Sequence, residues 1–256
     1  MNVLVTGGTG TLGRHVVTLL RQSGHRARIF SRHPRGHVDA VEGDLRTGAG
    51  LDKAVAGMDA IVHAATGARE SFRSRSDVQA TRRLLEAARR ANIKHLVYPS
   101  IVGIDASSYA YHVTKLKAEA VIRAHEIPWS ILRATQFHDL IDVALRGFSR
   151  MPGLVALPYA WRFQPVDALE VSQRVVDVVL REPTNQIEDF AGPEIADLKT
   201  FAEKWLAARK EHRLLLNLPM PFRFSKQWAA GNLTAPEGKK GKVTFEEFLA
   251  DRYAMS

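Results

Sequence analysis

The sequence contains no cysteine, which excludes a disulfide framework, a thiolate metal site and a cysteine nucleophile. No grouping of His, Asp and Glu has metal-ligand spacing, so no metal is expected. No apolar run reaches the roughly 18 residues that a membrane-crossing helix needs, and no membrane partner is expected. The opening stretch, Asn2-Val3-Leu4-Val5, lacks a basic segment leading into a long apolar core. A secretory leader is therefore not expected, and a cytoplasmic location is. Acidic residues are the minority sign, 27 against 36 Lys and Arg, for a net charge of +9. That excess permits a polyanionic partner. Its densest cluster, however, is Arg69, Arg73, Arg75, Arg82, Arg83, Arg89 and Arg90, with only Phe72 interleaved. Nucleic-acid recognition would want stacking aromatics or a recognition helix there. A solvated helix face is the simpler reading, and a nucleic-acid partner is not expected.

What is present is an ordinary globular composition: 256 residues, 45% hydrophobic and 25% charged. That is enough to bury a core, and residues 1–256 are expected to form one domain. Strand and helix patterns alternate from the start. Strands are predicted at Val3 to Thr6, Ala27 to Phe30, Val38 to Glu42, Ala60 to His63, Leu96 to Pro99 and Trp129 to Arg133. Between them, helices are predicted at Leu12 to Ser23, Leu51 to Ala56, Asp77 to Ala91 and Tyr111 to His125. This alternation argues for an α/β fold, a doubly wound parallel sheet of Rossmann type. After Arg133 the regularity weakens. Helices are predicted at Phe137 to Gly147, Asp167 to Arg181 and Asp197 to Arg209, with a strand near Ile187 to Phe190. Leu215 to Phe224 mixes large apolar residues with Pro219 and Pro221, which break any continuous helix or central strand. Such a segment is expected to pack on something. Thr244, with Glu247 three residues on, forms a capping-box pattern that starts a last short helix.

Between the first strand and the first helix stands Thr6-Gly7-Gly8-Thr9-Gly10-Thr11-Leu12-Gly13. In this spacing one glycine turns the chain sharply, one lets backbone approach a pyrophosphate, and one lets helix and strand pack closely. The helix N-terminus adds free N–H groups and partial positive charge. Gly7, Thr9, Gly10, Thr11, Leu12 and Gly13 are therefore the candidate dinucleotide cradle. The end of the second strand decides between the two nicotinamide dinucleotides. NAD sites offer a carboxylate to the ribose 2′-hydroxyl, whereas NADP needs a cation for the 2′-phosphate. Here the sequence is Arg28-Ile29-Phe30-Ser31-Arg32-His33, with no carboxylate until Asp39. Arg32 can fork onto a phosphate and Ser31 can donate to it, which favours NADP(H). The alternative is an ordinary surface arginine.

Taken in order, this fingerprint with Arg32, Glu42-Gly43-Asp44-Leu45, Asp59-Ala60-Ile61-Val62-His63-Ala64-Ala65 and Tyr111-His112-Val113-Thr114-Lys115 resembles the short-chain dehydrogenase/reductase superfamily. The likeness is greatest to its atypical, NmrA-like NAD(P)H-binding branch. It covers roughly residues 1 to 200. The resemblance implies that Asp44 and Leu45 contact adenine and that Ala64, Ala65 and Thr66 back the adenosine ribose. It also places Ser100 where the family holds its catalytic serine, and Tyr111 and Lys115 on its Tyr-x-x-x-Lys motif. Residues 1–150 are then mainly the NADP-binding core, while 151–256 complete it and form a small, irregular substrate-side lid. One departure stands out: Asp77-Val78-Gln79-Ala80-Thr81 occupies the place where many extended relatives have Asn-Val-x-Gly-Thr, so the Asn of their proton relay is missing.

The chemistry supports the same three residues. Residues four apart share a helical face, so Tyr111 and Lys115 can point into one cleft. A nearby ammonium is expected to lower the tyrosine pKa and make Tyr111 a usable proton donor, and Lys115 can also hold the nicotinamide ribose. Ser100 can donate to a developing oxyanion. Tyr109 is a competing hydroxyl, but only Tyr111 has a lysine four residues on. Ligands in open parallel sheets bind beyond the carboxyl ends of the strands. Gln136 and Phe137, after the sixth strand, are thus expected beside the nicotinamide. His138, Trp161, Phe222 and Trp228, with Phe224, are candidate substrate contacts, and core packing is the alternative for each. An apolar aromatic lid suits a ketone, quinone or enone. The sequence thus points to an NADPH-dependent reductase, with an NADP(H)-sensing regulator without turnover as the second reading.

Overall fold

The computed structural model describes residues 1–34, 36–66 and 74–254, with backbone alone at 74–76. Arg69, Phe72, Arg73 and the side chain of Arg75 lie outside the described residues. In chain order the elements begin β1 (Asn2–Thr6), α1 (Thr11–Gln22), β2 (Arg26–Ser31), β3 (Ala40–Glu42), α2 (Leu51–Val55), β4 (Ala60–His63) and α3 (Ser74–Arg90). They continue with β5 (His95–Ile101), α4 (Ala110–Arg123), β6 (Trp129–Ala134), α5 (His138–Phe148), β7 (Leu154–Leu157), β8 (Arg162–Phe163), α6 (Ala168–Leu180) and β9 (Ile187–Ala191). The last are β10 (Ala196–Asp197), α7 (Leu198–Ala208), β11 (Leu214–Asn217), α8 (Arg223–Ala229), β12 (Lys239–Lys240) and α9 (Phe245–Tyr253).

The chain divides into two compact units. The first comprises Met1–Ser100, Tyr109–Arg133 and Leu169–Glu188. Its strands follow the order β9-β6-β5-β4-β1-β2-β3. β1 runs parallel to both β2 and β4, with Thr6 opposite Phe30 and His63. Strands buried on both faces must be apolar on both, which is why Val3, Leu4 and Val5 are consecutive and fully buried. Leu4, Ile61, Leu96 and Ile131 share one core with Leu84 and Leu85 of α3 and Ala118 and Ile122 of α4. Each such fully buried leucine or isoleucine stabilises the fold by about 1.5–3 kcal/mol. Helix α1 buries Val16, Val17 and Leu20, and Ser172 of α6 donates to the Leu12 carbonyl at 3.3 Å. The sheet is wound on both sides, as the alternation predicted. Arg82, Arg89 and Arg90 on α3 are exposed, and Arg90 meets Asp52 at 2.6 Å. These three of the cluster's arginines are solvated as expected, while Arg83 is half-buried.

The second unit comprises Ile101–Ser108, Ala134–Ala168 and Asp189–Ser256. Trp205, Phe201 and Phe245 are completely buried at its centre, with Leu145 of α5 and Leu157 of β7. Buried Asp142 accepts from Trp205 Nε1 at 2.8 Å and from the Tyr253 hydroxyl at 2.6 Å. The Thr244–Glu247 capping box starts α9 as its spacing predicted. The pattern did not reveal β7, β8, β10, β11 or α8. These elements are short, and their strands pair in two-stranded sheets, β11 parallel to β7 and β10 antiparallel to β8. β12, in the Pro-, Gly- and Lys-rich stretch from Pro236 to Lys242 whose composition reads as a loop, pairs in parallel with Phe190 and Ala191 of β9. The expectation that Leu215 to Phe224 packs on something is only half met. Leu215, Met220 and Phe224 join the core, but Leu216, Leu218 and Phe222 are 48%, 48% and 52% exposed.

Candidate active site

The turn between β1 and α1 shows why glycine stands at its ends. Gly7 has φ +69, and a Cβ on it would lie 2.7 Å from the backbone of Ala65; a Cβ on Gly13 would lie 2.2 Å from the Gly7 carbonyl. Real Cβ atoms do not approach so closely, so the glycines create the hollow and the close helix–strand approach together. Gly10 caps α1 without any side-chain hydrogen bond. The first N–H groups of a twelve-residue helix thus border a backbone-lined cradle, which is the donor set a pyrophosphate requires.

At the end of β2, Ser31 Oγ accepts from the His33 amide at 3.2 Å, and Arg32 is exposed. Asp39, the first carboxylate after β2, is taken by Arg26 and, at 3.2 Å, by Arg28. The hydrogen bond from Arg26 and the paired charges hold it below the usual carboxylate range. It is committed to two arginines and does not present itself to a ribose. Asp44, expected at adenine, accepts from the Arg46 amide at 2.9 Å and from its guanidinium at 3.0 Å. Leu45 packs partly against the core.

Ser100 lies near the end of β5, in the first unit. It is 6% exposed, and its hydroxyl has no hydrogen-bond partner among the described residues. Tyr111 opens α4, half-buried, and its oxygen accepts a hydrogen bond from Thr66 Oγ1 at 3.1 Å. Helix α4 is anchored by a buried pair in which Arg133 Nε and Nη2 donate to Glu119 at 3.0 and 2.7 Å. Lys115 departs from expectation. Its Nζ donates to the Pro99 carbonyl at 2.7 Å and sits 3.9 Å from the centre of the Tyr98 ring. Burial lowers its pKa to about 7 against the pull of Glu119 and Asp77. The Tyr111 pKa is raised, chiefly by burial, with Asp77 and Tyr109 adding and Thr66 opposing. The expected lowering by Lys115 is therefore absent, because the amine is drawn to the backbone of β5 and to Tyr98. Among the described residues, Thr66 supplies a polar contact that favours the phenolate.

A family model described as NAD(P)H-binding matches residues 7–144, more than half of the chain. The chain belongs to the NAD(P)H-binding family. By sequence it is similar to ceramide reductase of Caulobacter vibrioides (strain NA1000 / CB15N), 29% identical over 189 residues, which is 68% of this chain and 59% of that protein. It is also similar to 3-beta-hydroxysteroid dehydrogenase of Mycolicibacterium neoaurum, 38% identical over 114 residues, 38% of this chain and 31% of that protein. The chain thus matches less than two thirds of the length of either relative. By structure, an NADPH-dependent quinone oxidoreductase of Escherichia coli superposes with a TM-score of 0.79 at 15% identity, over 98% of this chain and 99% of that one. A short-chain dehydrogenase/reductase superfamily protein from Agrobacterium tumefaciens, solved with bound NAD, gives 0.77 at 21% identity, over 99% of this chain and 96% of that one. The fold is that of the superfamily whose motifs the sequence resembles.

In this NAD(P)H-binding protein the sequence reading passed over a buried chain of hydrogen bonds. Thr81 Oγ1 donates to the Asp77 carbonyl at 2.9 Å, so it accepts from His63 Nε2 at 3.2 Å. That leaves His63 Nδ1 to accept from Thr6 Oγ1 at 2.8 Å, while Thr6 Oγ1 accepts from the Ala65 amide at 3.3 Å. His63 is held neutral: burial, with Lys115 adding, lowers its pKa to about 3. The chain fixes the Ala64–Thr66 segment beside the glycine turn. The register that sets Thr6 opposite His63 was the available signal. His112, whose pKa burial lowers to about 4, lies 6.2 Å from the Tyr111 ring and was also passed over.

The remaining candidates belong to the second unit. Gln136 is 8% exposed, and its Nε2 donates to the Leu233 carbonyl at 3.1 Å. Phe137 caps α5. His138 is completely buried, with Nε2 facing the Val243 carbonyl at 3.0 Å and its ring stacked 5.2 Å from Phe248. That is a packing role, which removes it as a second proton donor. Trp161 is 7% exposed and donates to Ser225 Oγ at 2.7 Å, and its ring meets Trp228 at 4.7 Å. Trp161 thus falls to the core-packing alternative. Trp228 and Phe224 are half-buried, and Phe222 lies outside them, stacked on Phe224 at 5.3 Å. Among the described residues no group of His, Cys, Asp and Glu could hold a metal ion.

Proposed function

We propose that this protein is an NADPH-dependent reductase of an apolar carbonyl, quinone or enone, with Tyr111 as proton donor. The observation that carries this reading is the buried hydroxyl of Ser100, near the end of β5, which has no hydrogen-bond partner among the described residues. Leaving a buried hydroxyl unsatisfied costs about 1–3 kcal/mol. Such a group is expected where an incoming oxygen will accept its proton.

The cradle fits the cofactor: Gly7 and Gly13 leave room only for backbone, and α1 begins without a side-chain cap. Gly7, Thr9, Gly10, Thr11, Leu12 and Gly13 would hold the pyrophosphate, Ser31 and Arg32 the 2′-phosphate, and Asp44, Leu45 and Ala64 to Thr66 the adenosine. Gln136 and Phe137 keep their proposed place beside the nicotinamide. When bound, NADPH supplies the hydride. Ser100 donates to the substrate oxygen and stabilises the charge that develops there. Tyr111 keeps its proton until that charge appears, because burial disfavours the phenolate. Thr66, by donating to Tyr111, stabilises the phenolate left after transfer. Lys115, once drawn toward a ribose hydroxyl, is proposed to hold the nicotinamide side. In the second unit, Trp228, Phe224 and Phe222 are the proposed aromatic contacts for an apolar substrate, a class consistent with relatives named for ceramide and for 3β-hydroxysteroids.

The missing relay Asn, replaced by Asp77, together with the engagement of Lys115 away from Tyr111, favours a second reading. In it the protein binds NADP(H) and reports its redox state to a partner without turnover. NADPH oxidation over a panel of quinones, enones and ketones, run beside Tyr111→Phe, separates the two. The reductase reading expects turnover that falls about 10²- to 10⁴-fold in the variant while cofactor binding persists. Tight cofactor binding with no turnover on any substrate moves the reading to the sensor.

A further inference from the structure

Within the second unit, a row of leucines faces solvent where a folded chain ordinarily buries them. β11 alternates, so that Leu215 packs inward while Leu214 and Leu216 are 69% and 48% exposed, and Leu218, just past the strand, is 48% exposed. Phe222, 52% exposed, extends the row in sequence. Met151, 60% exposed, lies two residues before Gly153, whose carbonyl accepts from the Leu214 amide at 2.9 Å. A lone exposed leucine needs no explanation, but a clustered set marks an interaction surface.

The charges bordering the row select among partners. From His212 to Pro236 the sequence has no Asp or Glu, while it carries Arg213, Arg223 and Lys226. Arg150 and Lys210, at the approaches to Met151 and Leu214, are exposed. The nearest acid, Glu211, is occupied by Arg209 and by Arg213 at 2.6 Å. A second copy seated here would bring the same cations against each other, which like-charge repulsion disfavours. Arg213 is held by Glu211, but exposed Arg150, Lys210, Arg223 and Lys226 border the apolar side chains, which suits a lipid surface, where the leucines enter the acyl boundary and the cations meet anionic headgroups. Among the described residues no helix is long and apolar enough to cross a membrane, and docking of this kind needs none.

We propose that Met151, Leu214, Leu216 and Leu218 form a surface that docks this protein onto an anionic lipid membrane. The proposal stands apart from the catalytic reading, because its readout is binding.

The test is co-flotation of the whole protein with mixed phosphatidylcholine–phosphatidylglycerol vesicles and with pure phosphatidylcholine vesicles. It compares wild type with Leu216→Asp/Leu218→Asp, two exposed positions, and with Arg82→Glu on α3. Near-UV circular dichroism establishes that both variants are folded. The expected result is flotation with the mixed vesicles only, a loss on the order of tenfold or more in the leucine variant, and retention in Arg82→Glu. Failure of the wild type to float, or equal flotation of the leucine variant, overturns the proposal. So does a concentration-dependent dimer, seen by sedimentation equilibrium, that the leucine variant abolishes, since a second copy would then own the surface.

Discussion

Replacing Lys115 by methionine should make this protein more stable at neutral pH while disabling it. The amine is buried, and burial lowers its pKa from 10.5 to about 7. At 1.36 kcal/mol per pKa unit, the lysine costs the folded state roughly 4 kcal/mol at neutral pH. The sign follows from which state binds the proton. Above about pH 10.5 both states are neutral and the cost vanishes; as pH falls toward 7 only the unfolded chain takes up the proton, and wild-type stability declines. Below about 7 the folded protein is protonated too, and the cost levels off. Methionine removes this cost but leaves the Pro99 carbonyl without its donor at 2.7 Å, worth about 1–3 kcal/mol. The expected net gain for Lys115→Met is therefore about 1–3 kcal/mol near pH 7, shrinking by roughly 2 kcal/mol near pH 9. Urea unfolding without cofactor, followed by tryptophan fluorescence and far-ultraviolet circular dichroism at both pH values, measures this. A variant less stable than wild type at neutral pH, or a difference that does not change with pH, refutes the reasoning.

Ser100→Ala removes a buried hydroxyl that has no partner among the described residues, so urea unfolding should show unchanged or slightly higher stability, by up to about 1 kcal/mol. Turnover should fall on the order of a hundredfold. Arg32→Ala should weaken NADPH by about 1–3 kcal/mol and leave NADH nearly unchanged; equal losses in titrations of the two cofactors would release Arg32 from the 2′-phosphate. Thr66→Val removes the donor to Tyr111, so the acidic group seen in the pH profile of turnover should move to higher pH, and an unmoved profile would place the proton donor elsewhere.

Periodicity revealed most of the first unit because its physics is local and repetitive. Val3-Leu4-Val5 between Asn2 and the glycine turn could only be a strand buried on both faces, and α1, α3 and α4 lie within a few residues of their predicted bounds. The glycine spacing carried its own steric reason, which the close approach of Gly13 to Gly7 bears out. Lys115 was misjudged for an equally physical cause. Helical spacing sets which residues share a face, but a long flexible amine goes to the acceptor it finds, here the carbonyl of Pro99. The His63 chain was hidden because each of its members is unremarkable alone and only strand register joins them. In the second unit, strands of two to four residues leave too few alternations for a period to show.

The segment from Ala64 to Thr66 touches two proposed functions at once. Ala65 closes on Gly7 so tightly that no side chain fits between them, and the next residue donates to the tyrosine of the proposed proton transfer. On that proposal, three consecutive residues couple the grip on a dinucleotide to the acidity of the group proposed to complete the reaction. Substitutions that reshape this segment for a different cofactor would retune that acidity in the same step. Changes of cofactor preference that preserve rate should then accumulate at the end of β2, at Ser31 and Arg32, and not here.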